Sequence, residues 1–324
     1  MKNDRQIRRS MLIGGALCLL FVLFLAGVML WEHNKPGLPL PTAPQTTSAA
    51  IETESVLPTT EATVPTALPQ YEARRINFLL VGRDAHGEGE NGRSDSMILC
   101  SVDTGSKSVT LISFLRDIYL RIPGHGSSRL NASYSWGGAE LLKQTLEENF
   151  GVTADVTLEI DFEGFQNVID HLGGVDIDLT DREADHLNNG HGWTLHAGVN
   201  HLDGQQALAY SRIRYLDSDF YRTERQRNVL TALLTTYGSA GYLEMLNATD
   251  AFLDQSTSDH TDEELLAYAL ELYAMMDDFE IVTHRIPADG TYNYATVRGM
   301  SVVKVDFEEN REILNLALRS HTPE

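Results

Sequence analysis

Three runs of apolar and β-branched residues, INFLLVG (76–82), SMILCSV (96–102) and VTLISFL (109–115), open the regular part of the chain. Continuous runs of this length, rather than strict alternation, predict strands buried on both faces. The period then changes. In GGAELLKQTLEENFG the apolar positions Leu141, Leu142, Leu146 and Phe150 fall at helical spacing, and Gly151 predicts the stop. VTLEI (156–160) and VDIDL (175–179) predict further strands. Between them DFEGFQNVIDHLGG predicts a helix capped by Asp161 and released at Gly173–Gly174. His, Asn and Gly dominate 185–201, which reads as a loop. Helices follow from Asp219 to Tyr237 and from Asp262 to Met276, strands in FEIVTHRI and VRGMSVVKVD, and a closing helix in FEENREILNLALRS. This alternation predicts one layered α/β domain with a mixed sheet, running from residue 71 to 324, without internal repeats or a second folded domain.

The first seventy residues follow a different pattern. Met11 to Trp31 is an uncharged run of 21 residues behind a flank bearing Lys2, Arg5, Arg8 and Arg9. About 20 apolar residues are needed to span a bilayer, whereas a signal-peptide core is usually only about 7–15. The expectation is a cytoplasmic tail (1–10), a transmembrane helix (11–31) and export of everything beyond, since basic flanks stay inside. A cleaved signal peptide is the alternative. Seven of the ten prolines lie between Glu32 and Gln70, among many Thr and Ala, so 32–70 reads as an extended extracellular spacer. The two cysteines, Cys18 in the span and Cys100 in an apolar run, cannot pair with each other. Core packing rather than a disulfide framework must stabilise the outer domain.

Charge sharpens the picture. The chain carries 46 acidic against 25 basic residues, a formal net charge of -21. Yet Arg212, Arg214, Arg222, Arg225 and Arg227 crowd into sixteen residues. An acidic, exported chain repels nucleic acid, so those arginines predict a more local anionic partner. On the helix from Phe220, the apolar stripe Val229, Leu230, Leu233, Leu234 and Tyr237 continues backwards onto Arg222, Arg225 and Gln226, leaving Arg227 on the solvent face. An arginine on a core-facing stripe needs an anion. For one such residue an internal pair with Asp217 or Asp219 suffices; several together predict a ligand, aided by the partial positive charge of a helix start.

The opposite charge gathers in VGRDAHGEGENGRSD. Asp84 follows one strand and Asp95 precedes the next, across a Gly-rich loop that a hairpin would close; Arg93 lies beside Asp95, and Arg116–Asp117 ends a third strand. Loop capping explains either aspartate alone. Two carboxylates among arginines match what a Mg²⁺–phosphate site requires, because a hard cation takes oxygen ligands and shares the phosphate oxygens. No Walker loop, HExxH, Cys/His zinc pattern or GxSxG elbow is present, and His125, His191, His196 and His201 read as surface residues.

These segments resemble the LytR–CpsA–Psr family of membrane-anchored bacterial wall-glycopolymer ligases. The resemblance runs from Ile76 to Leu230 through GRD (82–84), RSDSMIL (93–99), LRD (115–117), LNASYSWGG (130–138), DFEGFQNVIDHLGGVDI (161–177), LDGQQALAYSRIRY (202–215) and DFYRTERQR (219–227), and more weakly through RGMSVVKVD (298–306). The family's usual proline before Arg116 is Leu115 here. The resemblance implies a mixed sheet between helical layers and a greasy tunnel for a prenyl chain. Phe162, Phe165, Val168, Ile169 and the stripe of the 219–237 helix are candidates to line it. It implies transfer of a glycopolymer (teichoic acid, capsule or another glycan) from a polyprenyl-pyrophosphate carrier to a peptidoglycan hydroxyl, at the membrane surface. It also implies Mg²⁺, or Mn²⁺ in its place, on Asp84 and Asp95. Arg93, Arg116, Arg212, Arg214, Arg222 and Arg225 are implied to hold pyrophosphate, with Gln226 as polar partner. Asp84, Asp95 and Asp117 remain open as bases for the attacking hydroxyl. Hydrolysis of the same carrier, and a regulator that binds prenyl phosphate without turnover, are the competing readings.

Overall fold

The computed structural model describes residues 74–84, 92–214, 216–275 and 279–319. The expected tail, transmembrane helix and spacer lie outside these residues; none of the described helices is long and apolar enough to cross a membrane.

The three apolar runs form β1 (Arg75–Asp84), β2 (Arg93–Asp103) and β3 (Ser108–Phe114), joined antiparallel in that order. Parallel strands β6 (Val156–Ile160), beside β1, and β10 (Glu280–Ile286), beside β3, extend the sheet, and β9 (Ser256–Ser258) closes one edge. The spatial order is β10-β3-β2-β1-β6-β9, a mixed sheet as expected. VDIDL (β7, Val175–Leu179) is a strand but not part of this sheet. It pairs with β8 (Gly198–Leu202) in a ribbon buried on one side, which its alternating burial reflects. Two further ribbons are β4 (Tyr119–Ile122) with β5 (Gly126–Arg129), and β11 (Tyr292–Val297) with β12 (Met300–Val305).

Alternate residues of the central strands face opposite sides, so the sheet builds two cores. Leu79, Val81, Met97, Leu99, Ile112 and Phe114 pack against α1 (Leu130–Phe150) and α8 (Phe307–Arg319). α1 is the expected Leu142/Leu146/Phe150 helix, capped by Gly151 in a left-handed conformation and preceded by a further turn across a kink at Gly137–Gly138. The other face, with Leu80 and Ile98, meets α2 (Phe162–His171), α4 (Gly204–Ser211), α5 (Asp219–Ser239), α6 (Tyr242–Gln255) and α7 (Asp262–Met275). Asp161 caps α2 as predicted, accepting from the Gly164 amide at 2.9 Å. The segment 185–201, read as a loop, starts inside α3 (Asp181–His191) and ends inside β8. A reciprocal Thr180/Glu183 capping box starts that helix and Gly192 ends it. A smaller core of Ile169, Val175, Leu179, Leu187, Tyr210 and Val229 joins α3 and α4 to the β7–β8 ribbon and to α5.

Candidate active site

β1 and β2 pair so that Leu80 faces Ile98 and Gly82 faces Ser96, while Leu80 and Gly82 neighbour Leu158 and Ile160 on β6. This single sheet face floors a cavity roofed by Phe162, Phe165 and Val168 of α2, Leu208 of α4, Leu230 and Leu233 of α5, and Phe252 of α6. The floor is shaped by size. A Cβ at Gly82 would stand 3.1 Å from that of Ser96, so small residues hold the floor open at this end. At the same end the lining turns polar: Asp95, Arg212, Arg214, Arg222 and Gln226. Ile169 is not in this lining; it points into the smaller core, as does Val229.

Asp95 organises the polar end. A register shift between Gly82 and Arg83 leaves it as the extra residue of β2, between Ser94 and Ser96. Its Oδ1 accepts from Arg116 at 2.7 Å and its Oδ2 from Arg214 at 3.1 Å, while its carbonyl accepts from Arg222 Nη2 at 3.3 Å. Burial would raise the Asp95 carboxyl, but the charges of Arg116, Arg214 and Arg222 outweigh it and hold the group below its ordinary value. Arg116 in turn lies 3.5 Å from Asp219 and 3.8 Å from Asp117. Burial works against its charge, yet Asp219, Asp95 and Asp117 more than compensate and raise it.

Arg222 is 1% exposed, and its hydrogen bonds run from Nη2 alone, to Asp95 and to Asp219 at 3.0 Å. Among the described residues its buried Nε and Nη1 have no acceptor, and the Gln226 Oε1, in the same cavity lining, has no donor. Burial, offset in part by Asp219 and reinforced by Arg116 and Arg214, pulls the guanidinium down to about 10. The site therefore holds more positive charge and more unused hydrogen-bonding capacity than its own carboxylates satisfy. Arg212 stacks on the Phe162 ring at 4.2 Å, at the boundary between polar and apolar lining. Asp84 ends β1 directly opposite Arg93, so the hairpin does bring the two ends of the acidic motif together. Asp117 accepts from Arg129 at 3.2 Å.

Two arginines depart from the sequence-based expectation. Arg225 does not line the cavity. Its Nε donates to Glu183 at 2.6 Å, its Nη1 to Asp217 at 3.1 Å and its Nη2 to the other Asp217 oxygen, a two-carboxylate internal pair that joins α5 to α3. Arg227, expected in solvent, is 6% exposed. The physical reason is the same for both. α5 is enclosed on several sides, so one apolar stripe does not separate inside from outside. Arg222, Gln226, Leu230 and Leu233 face the cavity, Arg225 and Val229 the smaller core, and Arg227 a further cavity beside Phe220. Phe220, two turns before Arg227, was the signal for that buried face. Leu208, Ser211 and Phe252 of the lining were missed because α4 and α6 were not expected as helices; the Asp203/Gln206 capping box was the available signal for α4.

An α/β protein with an apolar cavity ending in an under-neutralised arginine cluster is built for an amphiphile with an anionic head. The chain belongs to the LytR_cpsA_psr family, which it matches over residues 44–317. It is 29% identical over 320 residues to the polyisoprenyl-teichoic acid–peptidoglycan teichoic acid transferase TagU of Oceanobacillus iheyensis, covering 96% of this chain and 94% of that one. The crystal structure of Bacillus subtilis TagV, 26% identical, matches 78% of this chain and 100% of that chain with a TM-score of 0.62. TagT of the same species, solved with bound octaprenyl pyrophosphate lipid, shares the fold at 24% identity, with a TM-score of 0.60 over 78% of this chain and 94% of that one.

Proposed function

We propose that this chain transfers a glycopolymer from a polyprenyl-pyrophosphate carrier to a hydroxyl of peptidoglycan. The observation that carries the proposal is Arg222, a buried arginine with two donors unused, at the polar end of an apolar cavity. The named activity of the TagU relative and the lipid bound to TagT are of the same chemistry. In this reading the prenyl tail occupies the cavity between the sheet and α2, α4, α5 and α6. The pyrophosphate meets Arg212, Arg214, Arg222, Arg116 and Arg93, with Gln226 beside them. The acceptor oxygen attacks the phosphorus that bears the sugar, the bond to the bridging oxygen breaks, and polyprenyl phosphate leaves. Catalysis of such a step is mostly positioning and neutralisation of charge on non-bridging oxygens, which the arginines supply. The proton of the attacking hydroxyl needs an acceptor. Asp95, held below its ordinary value by three arginines, is ill suited to accept a proton, which leaves Asp84 and Asp117 as the candidates.

Asp84 and Asp95 suit a magnesium ion of the kind that uses one or two carboxylates and completes its shell with substrate phosphate and water. Asp95 Oδ1 accepts from Arg116 and Oδ2 from Arg214, and a carboxylate oxygen with one such bond keeps lone-pair capacity. No cluster of three or more His, Cys, Asp or Glu residues placed to hold a metal occurs among the described residues, so any ion here would need substrate or water oxygens to complete its shell. When bound, the ion would neutralise phosphate charge. The apolar run 11–31 would anchor the chain with this site on the outer face of the membrane.

The test uses full-length protein in detergent, a lipid-linked glycopolymer and peptidoglycan. Phosphodiester-linked polymer on peptidoglycan is the expected product, lost with EDTA and in Arg222→Gln. Release of free polymer without attachment would make the chain a hydrolase. Lipid binding without turnover would make it a regulator.

A further inference from the structure

Across α5 from Arg222 lies a second buried arginine with donors left without an acceptor among the described residues. The two are five residues apart, which turns the helix by about 140° and separates their sites to different sides. Arg227 is 6% exposed, and among the described residues its Nε and Nη1 have no acceptor and no carboxylate forms an ion pair with it. Its guanidinium borders a cavity of about 590 Å³ that shares no lining residue with the apolar one above the sheet. Arg285 lines the same cavity, its guanidinium 4.4 Å from the centre of the Phe220 ring. Two carboxylates also line it: Asp289, paired with Arg285, and Glu224, on the exposed side of the helix. Burial, offset in part by Glu224 and reinforced by Arg285, pulls Arg227 down to about 10. The hydroxyl-bearing residues Ser218, Tyr221, Thr283 and Tyr292 are also in the wall.

We propose that the Arg227 cavity is a second anion site, which takes a phosphate group as the free ion or as a diester within a polymer. An internal carboxylate is the ordinary partner of a buried arginine; of the two that line this cavity, Asp289 is paired with Arg285 and Glu224 forms no ion pair with Arg227, so the cavity is the side from which further neutralisation can come. A planar carboxylate ligand would use the arginine fork alone, whereas a tetrahedral phosphate also presents oxygens to hydroxyls distributed around the wall. The site is local: a chain of net charge -21 does not attract polyanions to its surface at large. The inference does not depend on the transfer reaction. If that reaction holds, the cavity offers a foothold for a phosphate elsewhere on a phosphate-bearing polymer, and the exposed Tyr221 at its rim a surface for the intervening alditol or sugar.

Equilibrium dialysis of the full-length protein in detergent against radiolabelled inorganic phosphate counts the sites. Two equivalents are expected in the wild type and one in Arg222→Gln. Arg227→Gln should weaken the second equivalent by about tenfold or more, with Arg227→Lys keeping part of it, as loss of a charge-assisted hydrogen bond predicts. A single equivalent in the wild type that Arg227→Gln leaves unchanged overturns the proposal. So does a second equivalent indifferent to both Arg227 substitutions. Competition by bis(glycerol) phosphodiester identifies the polymer chain as the source; displacement by inorganic phosphate alone identifies the free ion.

Discussion

Arg222 and Arg225 sit three residues apart on α5, 1% and 4% exposed, and their surroundings predict opposite responses to substitution. Arg225 bridges Glu183 and Asp217, and although burial opposes its charge, those bonds raise it. Arg225→Ala should strand two partly buried carboxylates and cost about 3–5 kcal/mol. Arg222→Gln removes a cation that its environment already disfavours; Asp219 retains Arg116 at 3.5 Å. Its urea midpoint should hold or rise while lipid binding collapses. Equal losses of stability in the two variants would return Arg222 to a purely structural role. Asp95 supplies the acid response. Its folded value is depressed, so its contribution is fully present above its ordinary value of 3.8 and is lost as pH falls through the lower folded value. Urea midpoints followed down through pH 3.8 should decline less steeply in Asp95→Asn than in the wild type.

At the level of elements, the cavity depends on how closely two helices approach. A Cβ at Gly204 would stand 2.2 Å from the Gln166 carbonyl oxygen, and the Gly204 amide donates to Asp170 at 2.7 Å, so α4 starts in backbone contact with α2. Both helices line the cavity. Gly204→Ala must push them apart, at a cost of about 1–3 kcal/mol, and should weaken binding of octaprenyl pyrophosphate while leaving phosphate binding near the wild-type value. Thermal midpoints and titrations with both ligands check this. The same elements show where sequence reasoning reached its limit. β1, β2 and β3 were legible because both faces are buried and the runs are uninterrupted, and Asp161 marked α2 by its side-chain chemistry. α3 was not, because DREADHLNNGH buries only Glu183, Ala184 and Leu187 and gives a weak stripe; its capping box was the stronger signal. Arg212, Arg214, Arg222 and Gln226 were legible as a cluster, since unpaired charge on a core-facing stripe needs a partner. Which of the arginines would find that partner inside the protein was not legible, because Glu183 approaches Arg225 from 42 residues away.

For the molecule as a whole, the two sides of the sheet are unequal. One side is closed by α1 and α8 around Leu79, Leu99, Ile112 and Phe114; the other leaves an apolar cavity that no residue of the described chain fills. Unfilled apolar volume forfeits packing contacts, so an occupant that supplies them is stabilising in proportion to the surface it buries. Each isoprene unit brings five carbons at about 0.8 kcal/mol per buried methylene-sized group. Even half of that total, about 2 kcal/mol after the chain is ordered, is an affinity factor of about 30 per unit. Affinity for prenyl pyrophosphates should therefore climb with each added unit and level off once the chain outruns the space between Leu80, Phe165, Leu233 and Phe252. Leu230→Trp should bring that plateau to a shorter chain, because the indole takes up lining volume, and should leave phosphate binding at the arginines intact. Competition binding across a series from geranyl to octaprenyl pyrophosphate measures both effects. Affinity independent of chain length in the wild type, or an unshifted plateau in Leu230→Trp, would place the tail outside this cavity and leave the arginine cluster as a headgroup site alone.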